Sequence, residues 1–149
     1  MDESKLSPIG QANLKGVREG QKVYRAFAET CQQAMAVNTA LLMKILEDNK
    51  DTEYGRKYGF SEITSVEEYQ KRVPLITYED IKDYTYRMTE NGEDNLLTAY
   101  PVIHFSKTSG TTGEPKRIPF TAEMAKVHAK YGIAYQDGLL GDKIGLEWV

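Results

Sequence analysis

Residues 105–121 read Phe-Ser-Lys-Thr-Ser-Gly-Thr-Thr-Gly-Glu-Pro-Lys-Arg-Ile-Pro-Phe-Thr. Hydroxyls at Thr108, Ser109, Thr111 and Thr112 crowd around Gly110 and Gly113, and Lys116 follows three residues later. Glycine lets consecutive backbone N–H groups turn toward one point, because no Cβ blocks the backbone angles that this needs. A concave run of N–H groups holds phosphate oxygens. Hydroxyls add donors, and a lysine adds a charge that tracks the anion. Residues 108–116 therefore read as a loop that cradles a nucleoside triphosphate. Two familiar phosphate loops are excluded by spacing. A P-loop needs glycine and then lysine five and six residues after its first glycine, followed by Ser or Thr. Here Pro115 stands five after Gly110, and Lys116 is followed by Arg117. A Gly-x-Gly-x-x-Gly dinucleotide turn fails as well, since Gly110 and Gly113 have no upstream partner.

Strands must flank such a loop to hold it. Residues 101–106, Pro-Val-Ile-His-Phe-Ser, read as one strand, and residues 116–120, Lys-Arg-Ile-Pro-Phe, as a second that Pro119 restricts to an edge or an early end. Thr121 then caps a helix that should run to about Gln136, and residues 141–149 begin a further strand. Upstream, residues 22–48 carry Tyr24, Phe27, Cys31, Ala34, Met35, Leu41, Leu42, Ile45 and Leu46 at helical spacing, which predicts one long helix ending near Asn49. Gly55 and Gly59 should keep the tyrosine-rich connector after it non-helical. Ser65–Glu68 and Thr77–Asp80 look like capping boxes. They open a short helix that ends before Pro74 and a second one that runs to about Glu90, closed by Asn91-Gly92. Residues 1–20, polar and holding Gly10, Gly16 and Gly20, read as a loose lead-in, with a short helix as the alternative. The expected class is α/β: a helical portion over 22–92, then a strand–glycine loop–strand–helix unit over 101–149.

Composition limits the rest. With 149 residues and 40% hydrophobic content the chain can build a real core. A net charge of −3 gives no electrostatic case for nucleic acid or an anionic membrane as a partner. No apolar run approaches the roughly 20 residues of a membrane helix, and Met-Asp-Glu-Ser-Lys-Leu-Ser-Pro has no apolar core of a secretory signal. Both point to a cytoplasmic protein. Cys31 stands alone, which excludes an internal disulfide framework, and it reads as a small buried hydrophobe on a helix. His104 and His128 have no clustered acids beside them, so no protein metal site is expected. His104 reads as a strand histidine. Tyr54, Tyr58 and Phe60, and likewise Tyr78, Tyr84 and Tyr86, read as packing groups rather than ligand platforms.

Thr108-Ser-Gly-Thr-Thr-Gly-Glu-Pro-Lys116 resembles the phosphate loop of the adenylate-forming superfamily. Its flanks narrow the resemblance. Ile118-Pro119 and Thr121, with Leu46-Glu-Asp-Asn49, Tyr54-Gly55, Val73-Pro74-Leu75, Thr77-Tyr-Glu-Asp-Ile81 and Glu90-Asn-Gly-Glu93 upstream, resemble the Gretchen Hagen family of auxin-responsive acyl-acid amido synthetases. The resemblance implies an N-terminal portion of an adenylate-forming large domain, using ATP and Mg2+ to activate a carboxylic acid and pass it to an amine such as an amino acid. It implies that Ser109, Thr111, Thr112 and the backbone of Gly110 and Gly113, with Thr108 beside them, contact phosphates. Lys116 would act as the catalytic cation at the β/γ end. Groups for adenine, ribose and the acyl chain would come from the remainder of the chain beyond Val149, so residues 1–149 alone should not complete the reaction. Plant members usually carry Ser-Ser-Gly-Thr-Ser where this chain has Thr108-Ser-Gly-Thr-Thr112, and Pro115 has a more general superfamily look, so no hormone substrate is transferred. An acyl-CoA or acyl-protein synthetase of the same superfamily, or a nucleotide-binding remnant without catalysis, stays open on the sequence.

Overall fold

The computed structural model describes residues 3–110, 114–133 and 138–139. The chain divides into two compact units, one made of residues 1–34 with 124–149 and the other of residues 35–123.

In the first unit, helix α1 spans Pro8–Cys31. The Ser7 hydroxyl accepts the Gly10 N–H at 3.1 Å, and Pro8 occupies the opening position. Serine before proline is a strong helix start, since serine satisfies a free N–H and proline's fixed φ suits the first turn. The stretch read as a loose lead-in is thus helical from Pro8 on. Its glycines do not break it, and Leu14, Val17 and Gly20 are its buried positions. A Cβ on Gly138 would lie 2.1 Å from the Gly20 carbonyl oxygen, so backbone meets backbone there.

The single helix expected over 22–48 is two, because α1 ends at Cys31 and α2 covers Ala34–Asn49. No glycine or proline marks the break. The Thr30 hydroxyl bonds back to the Ala26 carbonyl at 2.8 Å, which bends helices, and Gln32 and Gln33 turn tightly onto Glu29 and Thr30. Cys31, expected to be buried, is exposed at this break. Helix α6, Ala122–His128, follows Thr121 and continues as a wider turn through Ala129–Ile133. The end of the expected helix at Gln136 and the strand expected over 141–149 lie outside the described residues.

The second unit holds the rest. Asn49, buried at the end of α2, donates to the Ile45 carbonyl at 2.7 Å and accepts the Ala99 N–H at 2.9 Å. Fully buried Thr52 caps helix α3, Glu53–Tyr58: its hydroxyl accepts the Gly55 N–H at 2.8 Å and donates to the Asn49 carbonyl at 2.7 Å. Gly55, read as a breaker, lies inside α3. A Cβ there would sit 2.1 Å from the Asn49 carbonyl oxygen, so the helix tolerates glycine for the sake of close approach. Gly59, in the left-handed region, ends α3.

Helix α4, Val66–Arg72, is capped by Ser65, which accepts the Glu68 N–H at 3.2 Å. The Glu68 carboxylate completes the start by accepting the Thr64 N–H at 2.7 Å. Helix α5, Tyr78–Glu90, starts where Asp80 accepts both the N–H and the hydroxyl of Thr77, at 2.7 and 2.8 Å. Tyr84 and Met88 of α5 and Leu96 form the buried centre, with Tyr54, Ile81, Leu97, Val102 and Phe105 packed around it.

Against α5 lies a hairpin of β1, Val102–Lys107, and β2, Arg117–Thr121. The two run antiparallel, with Phe105 opposite Pro119 and Lys107 opposite Arg117, and a bulge between Val102 and His104. Among the described residues this is the whole sheet. Each strand is an edge, which is where Pro119, lacking an N–H, belongs.

Candidate functional site

In sequence, the glycine loop joins β1 to β2. Thr108 fastens its base twice: its N–H donates to the Lys116 carbonyl at 3.1 Å, and its hydroxyl accepts the Lys116 N–H at 3.0 Å. Ser109 is exposed beside this clasp. Gly110 has φ +66°, a conformation that glycine adopts at no steric cost. Thr111, Thr112 and Gly113 lie outside the described residues. The structure thus brings Thr108 and Lys116 into direct contact, with Ser109 and Gly110 adjoining, and gives no placement for the other three expected phosphate contacts.

The outgoing arm of the loop lies along one face of α5. Tyr78, Lys82, Tyr86 and Glu90 recur every four residues and so share that face. Each meets the arm. The Tyr78 hydroxyl accepts the Arg117 N–H at 2.9 Å, and the Lys116 ammonium lies 5.7 Å from the centre of the Tyr78 ring. Lys82 pairs with Glu114 at 3.0 Å. The Arg117 guanidinium stacks 4.4 Å from the Tyr86 ring and bonds Glu90 and Thr89. Glu114 is held below the usual carboxylate range, chiefly by its hydrogen bond from Lys82.

Between α5 and the arm is a cleft of about 380 Å³. Among the described residues, four cations line it (Lys82, Lys107, Lys116 and Arg117) against two carboxylates, Glu79 and Glu114. Positive excess in a cleft draws anions. The size matches small-molecule sites, which begin at roughly 300 Å³. The exposed Lys116 is one of these cations, so the lining suits an anionic ligand. No cluster of acidic, histidine or cysteine side chains able to hold a metal ion occurs among the described residues.

The sequence reading missed the part played by α5. Tyr78 and Tyr86 were expected only to pack, yet they carry the two cations of the arm. Their four-residue spacing with Lys82 and Glu90 was the available signal. Tyr84, by contrast, is buried in the centre as packing predicts. Tyr54 packs against Tyr58, Phe60 and Tyr84 with ring centres 4.7 to 6.0 Å apart. Burial pushes the Tyr54 phenol up to about 12, with the neighbouring Tyr58 second in effect. His104 stacks on Phe120 across the hairpin, centres 4.6 Å apart, in keeping with a strand histidine.

The solved structure of the GH3.15 acyl acid amido synthetase matches 66% of this chain and 18% of its own, with a TM-score of 0.60 and 31% identity. Residues 23–141 match the family described as the GH3 family N-terminal domain, and the chain belongs to that family. Among its relatives, a probable indole-3-acetic acid-amido synthetase, GH3.12, of Oryza sativa subsp. japonica is 32% identical over 76% of this chain and 20% of its own length. A jasmonoyl–L-amino acid synthetase, JAR6, of Nicotiana attenuata is 33% identical over 70% of this chain and 18% of its own. The chain spans about a fifth of the length of these relatives. Among the described residues no helix is long and apolar enough to cross a membrane.

Proposed function

We propose that this chain is the N-terminal portion of an ATP-dependent acyl-acid amido synthetase and supplies its phosphate loop. Membership of the family, and relatives named for joining indole-3-acetic acid or jasmonate to amino compounds, support the class of reaction. In the first step a carboxylate oxygen bonds to the α-phosphorus of ATP, the α–β anhydride bond breaks, and the electron pair leaves with pyrophosphate. In the second, an amine nitrogen bonds to the carbonyl carbon of the acyl-adenylate, the carbon–oxygen bond to AMP breaks, and the nitrogen releases a proton. The acid and the amine are small molecules held by the remainder of the protein.

The observation that carries this reading is the Thr108–Lys116 clasp, which fixes an exposed lysine at the mouth of a cleft with positive excess. Charge accumulates on pyrophosphate as it leaves. Donors already in place stabilise that charge without reorganising, which is where such sites gain most of their rate. Thr108, Ser109, Gly110, Thr111, Thr112 and Gly113 would hold the phosphate oxygens and Lys116 would face the leaving end. Magnesium would neutralise part of the phosphate charge; it would arrive on the nucleotide, since such ions are held largely by phosphates and water. A cytoplasmic location goes with this reading, since ATP and free amino acids meet there.

The test is Lys116→Ala in the full-length protein, read by acid-dependent exchange of pyrophosphate into ATP. Loss of one prepositioned contact of this kind should lower exchange by about tenfold to a thousandfold. Unchanged exchange would remove Lys116 from the reaction.

A further inference from the structure

Lys116 hangs from a backbone fixed on both sides. Its own N–H and C=O are held by Thr108, and the next N–H, that of Arg117, is held by the Tyr78 hydroxyl at 2.9 Å. The direction of the chain beyond Tyr78 follows from counting protons. The Thr85 hydroxyl donates its one proton to the Lys82 carbonyl at 2.9 Å. It can therefore only accept at the 3.1 Å contact with Tyr78, and the Tyr78 proton points there. The result is one continuous relay: Arg117 N–H to Tyr78 O–H, Tyr78 to Thr85 O–H, Thr85 to the Lys82 carbonyl. Thr85 is 1% exposed, so the relay ends inside the unit. Tyr78 itself begins α5 directly after the Thr77–Asp80 cap. Its ring is held at both ends of the side chain, and the Lys116 ammonium lies 5.7 Å from the ring centre, within reach of the ring's negative face.

We propose that Tyr78 is a positioning residue for Lys116: its hydroxyl fixes the arm that carries the lysine, and its ring gathers the free ammonium at the mouth of the cleft. A lysine side chain is long and freely rotating, and each contact with phosphate must first restrict it. Confining it beforehand lowers the entropic cost of that contact. The ring is a weak, water-exposed partner, so a doubly charged phosphate group outcompetes it when substrate arrives. This inference rests on the reading that Lys116 serves the phosphates.

A double-mutant cycle in the full-length protein tests it, with pyrophosphate exchange as readout. Tyr78→Leu removes ring and hydroxyl and should lower exchange about two- to fivefold, the range of an exposed cation–ring contact. In a Lys116→Ala background the same change should have no further effect, because the group that Tyr78 positions is gone. In Tyr78→Phe, which keeps the ring and loses the hydroxyl, the cost of Lys116→Ala should fall between its values in the native protein and in Tyr78→Leu. Equal losses from Tyr78→Leu with and without Lys116 would make Tyr78 merely structural and overturn the proposal. If Lys116→Ala alone has no effect, the phosphate reading itself fails, which is a different result. Should Tyr78→Leu not fold, the native protein gives a second answer by NMR. The ε-methylene protons of Lys116 should be shifted upfield by the ring, and a shift ordinary for lysine would overturn the proposal.

Discussion

Arg87 of α5 grips both carboxylate oxygens of Glu53 on α3, at 3.0 and 2.7 Å, across 34 positions of sequence. The same guanidinium bonds Glu93 at 3.0 and 2.7 Å, so one cation ties the start of α3 to the chain leaving α5. Hydrogen bonding from Arg87 holds the Glu53 carboxyl below its ordinary value, and it does the same to Glu93, where Asn91 adds a second donor.

These carboxylates make the unit acid-sensitive. Their folded pKa values lie below the unfolded value of 4.5, so between the two the unfolded chain binds more protons. Their stabilisation is therefore present above pH 4.5 and is lost as pH falls through the depressed values. Asp80 and Glu68, lowered chiefly by the backbone N–H groups of Thr77 and Thr64, lose theirs in the same direction. Thermal midpoints measured against pH should hold steady near neutrality and drop below the ordinary carboxylate range. Glu53→Gln and Glu93→Gln should each flatten that drop. A slope untouched by both substitutions would mean that Arg87 does not govern acid stability.

The turn from α2 into α3 should be the least forgiving place in the second unit. A Cβ at Gly55 would stand 2.1 Å from the Asn49 carbonyl oxygen, and that neighbour is backbone, which cannot rotate away. Gly55→Ala is expected to cost about 1–3 kcal/mol, the usual penalty for overfilling packed structure. Thr52→Ala removes the hydroxyl that caps Gly55 and should cost about 1–2 kcal/mol. Because both act on one set of contacts, the pair should not add. Urea midpoints of the two single variants and the double variant decide this. A neutral Gly55→Ala would show that the close approach to Asn49 does not exist in solution.

How much of this could be read from the chain depended on whether the cause was local. The starts of α4 and α5 were legible because Ser65 and Thr77–Asp80 satisfy N–H groups within four residues. The two strands around the loop were legible for a similar reason, since turn-forming residues bound them. Glycine misled as well. Gly55 was read as a break and Gly20 as part of a loose lead-in, whereas each sits inside a helix, Gly20 buried beside Gly138 and Gly55 against the Asn49 carbonyl. The break after Cys31 was invisible because a threonine hydroxyl bent the helix, with no proline or glycine to announce it. At the candidate site, the loop residues stood out by type. Their holders, Tyr78, Lys82 and Tyr86, did not, since they approach from a helix some 30 residues upstream and only the fold puts them in place.

Of the three lysines that line the cleft, Lys82 and Lys116 should differ in weight. Lys82 is bound to Glu114 at 3.0 Å, with the Glu114 side chain 76% exposed, so water competes for the pair. Exposed ion pairs contribute little, so Lys82→Gln should change the KM for ATP by at most about fivefold and leave kcat near its native value. Glu114→Gln should behave alike, since either change leaves the Arg117 grip on Tyr86 and Glu90 in place. The small effect should also fade in high salt, because exposed charges are screened within about 10 Å at 0.1 M ionic strength. On the proposed function, Lys116→Ala should instead act mainly on kcat, because its charge would then be needed as pyrophosphate leaves. A Lys82→Gln variant that loses kcat as deeply as Lys116→Ala would show that Lys82 leaves Glu114 for the phosphates during the reaction.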